Sequence, residues 1–134
     1  MSGIRTSQPS LGPTRLAVRF PGGLPGLPGP ERFALVARAA SAPFVFLVAG
    51  GRPRVTLPLL PLASVAAWLP SAARALDHLA LGPARRAYVV AAIGRGGRPV
   101  TVNLRAPVVI DVAARTGVQR LLDDPRLPLA ARLL

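Results

Sequence analysis

The ten residues 101–110, TVNLRAPVVI, constrain the fold of this chain more than any other segment. β-Branched side chains stand on both sides of a proline, and such residues favour a pleated, half-buried backbone. Pro107 has no N–H to give to a ladder, so it belongs at a sheet edge, a strand start or a bulge. Asn103 lies in an apolar run, and its side-chain amide both donates and accepts hydrogen bonds, so it needs partners if it is buried. The segment therefore predicts two short strands that meet near Pro107.

Similar short runs, separated by glycine and proline, recur along the chain. Strands are predicted at residues 16–20, 33–37, 44–49, 55–57, 87–93, 99–104 and 106–112, with a last ordered piece at 118–122. Ser71 is a candidate cap for a short helix that continues to Ala80, before Gly82 and Pro83. This pattern predicts a mainly β fold, an antiparallel sheet closed into a small barrel or sandwich with one short helix.

Length and composition predict one domain behind a polar arm. The chain has 134 residues, which is the size of a single domain. Residues 1–14 are rich in Ser, Gly and Pro and predict a flexible N-terminal arm, while residues 15–134 predict a small antiparallel β-barrel-like domain. The sequence contains no cysteine, which excludes disulfide and thiolate chemistry and suits a cytoplasmic protein.

An uncharged stretch at residues 55–73 is long enough to cross a bilayer. Three prolines lie inside it, at Pro58, Pro61 and Pro70, and each would remove a backbone donor from a helix. We therefore predict a buried strand followed by a loop, and no membrane partner.

Charge is the strongest compositional bias. The net charge is +12, and all 17 basic residues are arginine. Such a charge favours phosphate backbones, anionic surfaces or acidic proteins. However, the arginines are spread from Arg5 to Arg132, the longest basic run is Arg85-Arg86, and only 4% of the residues are aromatic. The sequence thus predicts at most non-specific adhesion to RNA.

No catalytic, metal or cofactor site is predicted. His78 follows Asp77, but neighbours on a helix point apart and do not form a dyad. The acidic residues are too few and too scattered for a metal cage, and Asp123-Asp124 is expected to be a solvated turn. Residues 94–97, GRGG, lack the lysine and the following helix of a phosphate cradle, so they predict a hairpin turn.

Four islands of sequence carry a family resemblance. They are FPGGLPGL at 20–27, FAL and PFVFL at 33–35 and 43–47, TVNLRAPVVI at 101–110, and GVQRLL at 117–122. In this order they resemble the F-x-x-G-[IL]-P-G-F, F-x-L with P-F-x-x-L, TxNLxAPxxIN-like and G-x-Q-x-x-L segments of the FliW flagellar assembly factors. Four islands in order are a far more specific signal than one short motif. The resemblance implies a compact β-barrel-like domain.

The same resemblance implies an adaptor and not an enzyme. FliW proteins bind CsrA, an RNA-binding translational repressor, and flagellin competes for them, so that flagellin translation and flagellum assembly are regulated. A cytoplasmic monomer with CsrA, flagellin or both as partners is therefore expected. The candidate partner-binding residues are Phe20, Leu24, Pro25, Asn103, Leu104, Pro107 and Gln119.

Several positions depart from the family pattern. Ile110-Asp111 stands where the family has I-N, Val48-Ala49 replaces a polar pair, and Leu127 stands near the place of a C-terminal tyrosine. The net charge of +12 also weakens electrostatic steering toward a basic partner such as CsrA. Two alternatives follow: a basic β-barrel protein that binds RNA backbone, or a divergent member that binds flagellin only.

Asn103 has two interpretations. Its amide either satisfies backbone groups of a strand edge or loop, or it faces a partner and supplies directional hydrogen bonds. We favour the structural interpretation, because polar residues within β-branched runs usually satisfy backbone groups.

Overall fold

The computed structural model describes residues 14–51 and 54–133. Its strands are β1 (Thr14–Arg19), β2 (Arg32–Ala37), β3 (Val45–Ala49), β4 (Val55–Pro61), β5 (Arg85–Ala92), β6 (Val100–Val102), β7 (Val108–Asp111), β8 (Thr116–Gln119) and β9 (Ala131–Leu133). A 3₁₀ turn covers Ala39–Ser41, and two helices follow β4, α1 (Leu62–Ala66) and α2 (Pro70–Leu79). The arm predicted at residues 1–14 lies outside the described residues except for Thr14, which begins β1.

Seven strands close into a barrel in the order β4-β3-β2-β1-β8-β7-β5, and β5 pairs back onto β4. β6 and β9 continue the sheet from the end of β5. Neighbouring strands are antiparallel except at one seam, where β1 and β8 run parallel and share the single pair Arg19 and Thr116. The prediction of a mainly β, barrel-like fold with one short helix is confirmed, since α2 is the longer helix and α1 is a single turn.

Alternation along the strands divides the apolar residues into two cores. One fills the barrel and includes Phe20, Leu47 and Ile110, each with no exposed surface. The other lies between the barrel wall and the helices and includes Leu62 and Leu104. The second core anchors the C-terminal segment, because buried side chains of residues 122–131 belong to it.

The uncharged stretch at residues 55–73 folds as β4 followed by α1 and the start of α2. Pro61 ends β4, and Pro70 occupies the first turn of α2, where its missing N–H costs nothing. Ser71 is therefore not the helix cap; Leu69, in an extended conformation, holds that position. Among the described residues, no helix combines the length and the apolar character that crossing a membrane requires.

The seam between β1 and β8 is closed by an aromatic side chain over a glycine. Phe20 packs edge-on against Phe33, with ring centroids 5.4 Å apart and planes at 82°. Its ring also covers Gly117 so closely that a Cβ at this position would lie 2.5 Å from it. No other residue fits at 117 without displacing the ring, so this glycine permits the two strands to meet.

Candidate partner-binding surface

The structure brings two of the sequence islands, residues 101–110 and 117–122, side by side. β7 and β8 pair along their whole length, and the ladder continues beyond them. Arg120 donates its N–H to the Pro107 carbonyl at 2.8 Å, and Leu122 donates to the Arg105 carbonyl at 2.7 Å. The Gln119 side chain donates from Nε2 to the Ala106 carbonyl at 3.0 Å. These bonds fix the path of the chain on both sides of Pro107.

Asn103 organises the turn that precedes Pro107. Its Oδ1 accepts hydrogen bonds from the backbone N–H groups of Arg105 at 3.0 Å and of Ala106 at 3.2 Å. Its own N–H donates to the Val90 carbonyl at 3.0 Å, which ties the turn to β5. A side chain that holds two backbone donors is the structural role that the sequence analysis favoured.

Arg105, two residues after Asn103, holds the C-terminal segment in place. Its Nε donates to the Leu127 carbonyl at 2.9 Å and its Nη2 donates to the Pro125 carbonyl at 3.3 Å. The Leu104 N–H adds a bond to the Pro128 carbonyl at 3.1 Å. Residues 125–128 are therefore held against the turn by three hydrogen bonds.

Asp124 is the second residue that holds this segment in place. The prediction that it lies in a solvated turn is wrong. Only 4% of the residue is exposed. Its Oδ1 accepts from the Arg126 Nε at 3.0 Å, and its Oδ2 lies 2.8 Å from the His78 Nε2 on α2. These two hydrogen bonds, that of Arg126 first, hold the pKa of the Asp124 carboxyl well below its usual range. His78 therefore meets an aspartate 46 residues away and not its neighbour Asp77.

A shallow groove of about 470 Å³ lies on this anchored base. Two leucines on its rim are strongly exposed, Leu121 at 79% and Leu129 at 57%. Leu122 is buried beneath them, and Arg105 and Asp123 supply charges at the edge. We call this feature the leucine groove (Arg105, Leu121, Leu122, Asp123, Asp124, Pro125 and Leu129). Two exposed leucines with charged groups around them make this groove the candidate contact surface.

Comparison with known proteins identifies the family to which the chain belongs. The family model described as FliW protein matches residues 8–133. This chain belongs to the FliW family. The flagellar assembly factor FliW of Caldicellulosiruptor bescii is 43% identical over 42 residues, which are 31% of this chain and 28% of that protein. A crystal structure of the flagellar assembly factor FliW superposes with a TM-score of 0.67 at 25% identity, over 87% of this chain and 84% of the other.

The candidate residues of this FliW-family chain fall into two groups. Phe20, Leu24, Leu104 and Pro107 are buried, and the first three belong to the two cores. Asn103 and Gln119 are half-buried beside the leucine groove, and Pro25 is exposed in the loop between β1 and β2. A direct partner contact by each residue stays a prediction, but the buried ones act in this structure by packing. Sequence reasoning missed Leu121 and Leu129, because apolar runs alone do not say which leucines remain exposed.

The change from the family's asparagine to Asp111 preserves the local turn. The Asp111 Oδ1 accepts hydrogen bonds from the N–H groups of Ala113 at 3.0 Å and of Ala114 at 2.9 Å. An asparagine oxygen accepts the same two bonds. This departure from the family pattern therefore leaves the β7–β8 connection intact.

The polar side chains described at this surface hold one another through hydrogen bonds and ion pairs. Within residues 14–51 and 54–133, no group of three or more His, Cys, Asp and Glu side chains is placed to hold a metal ion. His78 and Asp124 form a close pair. A catalytic triad would also need a nucleophile within hydrogen-bond reach of the histidine. In this structure the pair joins α2 to the C-terminal segment.

The buried carboxylate predicts a specific acid sensitivity. A carboxyl whose pKa is lower in the folded chain contributes stability above its unfolded pKa of about 3.9, and that contribution is lost as the pH falls. We expect the free energy of unfolding to decrease from about pH 5 downwards more steeply in the wild type than in Asp124→Asn. Urea titrations at several pH values measure both slopes. The exposed neighbour provides the control Asp123→Asn, which should keep the wild-type slope; equal slopes in all three proteins would contradict the assignment.

Proposed function

We propose that this FliW-family chain is a non-enzymatic cytoplasmic adaptor that binds flagellin, CsrA or both through the leucine groove. By this binding it regulates flagellin translation and the assembly of the flagellum. Membership of a family of flagellar assembly factors supports the proposal. The observation that carries it is the pair of exposed leucines, Leu121 and Leu129, on a base built from two islands of the family resemblance.

The groove combines the elements that give a small interface its affinity. Leu121 and Leu129 offer apolar anchors, and the surrounding polar groups offer directional bonds. Arg105 and Asp124 hold the underlying segment in place by hydrogen bonds within the chain. Because the surface is ordered before the partner arrives, little conformational entropy remains to be lost on binding.

Charge favours flagellin over CsrA at low salt. The net charge of +12 slows the approach of a basic surface, such as the one that an RNA-binding repressor presents. Salt screens this repulsion over a Debye length of about 10 Å at 0.1 M. CsrA binding is therefore expected to strengthen as the salt concentration rises toward physiological values, whereas flagellin binding is expected at both.

Calorimetric titration with purified flagellin and purified CsrA at two salt concentrations tests the proposal. We expect Leu121→Asp and Leu129→Asp each to weaken binding about 30-fold or more, as substitution of an anchor worth about 2 kcal/mol does. Ile93→Asp is a matched control, because Ile93 is 53% exposed but lies after β5, in the connection to β6. Its binding should stay within about twofold of the wild type.

Two results would contradict the proposal, and a third would identify the partner. If the wild type binds neither protein at either salt concentration, the adaptor function is wrong. If it binds but the leucine variants match Ile93→Asp, the groove is not the interface. If flagellin binds and CsrA does not, the chain is the divergent, flagellin-only member that the sequence analysis left open.

A further inference from the structure

Arginines that are scattered in the sequence gather on one outer face of the barrel. Phe33 and Leu35 point into the barrel core, so the alternate positions of β2 point outward. The same alternation holds in β1, which pairs with β2 over its full length. Arg54 lines the same surface beside β4. We call this set the arginine face (Arg15, Arg19, Arg32, Arg38 and Arg54).

The arginine face has a concave centre of about 380 Å³. Arg15, Arg38 and Arg54 form its rim, and hydroxyl groups come from Ser41 and Thr56. Its floor is apolar and consists of Val36, Phe46 and Val48. Val36 is only 2% exposed although it belongs to neither core, so the side chains around the hollow cover it.

Among the described residues, no acidic side chain forms an ion pair with the arginine face. Arg19 and Arg32 lie directly opposite each other on β1 and β2, an arrangement of like charges that is unfavourable without a counter-ion. Glu31 is the single acidic residue between residues 14 and 61. In the part of the chain that the structure describes, both ion pairs involve Asp124, far along the sequence. An anion from outside the chain would relieve this repulsion.

We propose that the arginine face binds single-stranded nucleic acid, with phosphates at the guanidinium groups and a base stacked on Phe46. Guanidinium groups bind phosphate through paired donors, and hydroxyl groups such as those of Ser41 and Thr56 add further donors. A partly buried aromatic ring in the floor of a positive groove is an arrangement on which single-strand binders stack bases. An acidic protein segment would use the arginines but would not need a flat ring among them. This binding is additional to the adaptor function and lies outside the leucine groove.

Fluorescence anisotropy with labelled eight-nucleotide RNA and DNA measures this binding between ~50 and ~200 mM NaCl. If phosphates are contacted, the affinity should fall ~10-fold or more over this range of salt. The test variant is the triple substitution Arg15→Gln, Arg38→Gln and Arg54→Gln. Removing three phosphate contacts should lower the slope of log affinity against log salt by about 2, since each contact contributes about 0.7 for a single strand. The affinity at the lowest salt concentration should fall at least about tenfold.

The control variant removes equal charge from other exposed positions, Arg74, Arg95 and Arg98. If both triple variants weaken binding equally, diffuse charge and not the arginine face is responsible, and the proposal is overturned. Phe46→Leu supplies an independent measurement, because it keeps an apolar floor but removes the stacking surface; about a tenfold loss with an unchanged salt slope is expected. Thermal melts establish that each variant is folded before it is titrated.

Two further outcomes decide the nature of the ligand. Tighter binding of RNA than of DNA would assign the site to RNA, and equal affinities would assign it to single strands in general. Absence of oligonucleotide binding by the wild type at ~50 mM NaCl, where electrostatic binding to phosphates is strong, overturns the proposal. Binding of polyglutamate in place of oligonucleotides would assign the face to an acidic protein.

Discussion

Phe20→Ala is expected to lower the free energy of unfolding by about 3–5 kcal/mol, which is the usual cost of removing a fully buried aromatic ring. Phe20 has no exposed surface and makes an edge-on contact with Phe33. Its ring also covers Gly117, so its loss leaves a cavity where β1 and β8 share a single residue pair. The barrel wall has few other contacts at this seam with which to refill the space. Urea denaturation monitored by circular dichroism measures the loss.

Two further variants separate ring volume from position. Phe20→Leu keeps an apolar side chain in the seam and should cost clearly less than Phe20→Ala. Gly117→Ala places a methyl group against the ring and should cost about 1–3 kcal/mol, as overpacking does. In the double variant Phe20→Leu with Gly117→Ala, the smaller side chain leaves room for the methyl group. The loss of stability in the double variant should then be smaller than the sum of the two single losses, by about 0.5–3 kcal/mol.

These variants also examine the predicted partner contact of Phe20. A direct contact would leave the stability of Phe20→Ala near that of the wild type while the binding of flagellin or CsrA disappears. A packing role gives the opposite result. Phe20→Ala then loses much of its stability, but under conditions where it is folded it still binds flagellin or CsrA. Measuring both quantities on the same variants distinguishes the two roles.

Asn103→Leu is expected to lower the free energy of unfolding by about 1–3 kcal/mol, because two backbone donors lose their acceptor. Those donors are the N–H groups of Arg105 and Ala106, which the Asn103 Oδ1 holds at 3.0 and 3.2 Å. The turn also presents the Arg105 side chain to the C-terminal segment, so the loss should loosen the base of the leucine groove. Hydrogen exchange at Arg105 and Ala106 should increase together with the loss of stability.

Asn103→Asp is the matched control, because its carboxylate oxygen can accept the same two bonds. It should keep most of the stability that Asn103→Leu loses. An unchanged stability in Asn103→Leu, combined with lost partner binding, would replace the structural interpretation by the contact interpretation. Equal losses in both variants would instead show that the amide nitrogen matters more than the oxygen.

Much of the fold could be predicted from the order of side chains alone. Alternation in β1 and β2, and the proline that separates β6 from β7, placed these strands correctly, because side-chain period and backbone donors are local properties. α1 and β9 were not predicted. β9 has only three residues, Ala131–Leu133, and exists because it pairs with β6 across the sheet. Three residues are too few to show the alternation of side chains that identifies a strand in a sequence.

The candidate surface was predicted only in part. Residues 101–110 and 117–122 were recognised as islands of one family, but their contact depends on the pairing of β7 with β8. Asp124 was expected in solvent because acidic residues before a proline usually lie in exposed turns. Its burial requires the guanidinium of Arg126 and the imidazole of His78, and the latter arrives from α2. The pairing of residues 46 positions apart is a property of the folded chain.

The sequence by itself determined that this chain is mainly β, barrel-like and a member of the FliW family. Periodicity, turn residues and motif order are properties of the linear order of residues. The tertiary structure alone decided which apolar residues stay at the surface and which charges meet. It buried Phe20 and Leu104, exposed Leu121 and Leu129, and gathered dispersed arginines beside Phe46. The physical reason is that exposure and charge density depend on distances in space, and barrel closure brings together strands that lie far apart in the chain.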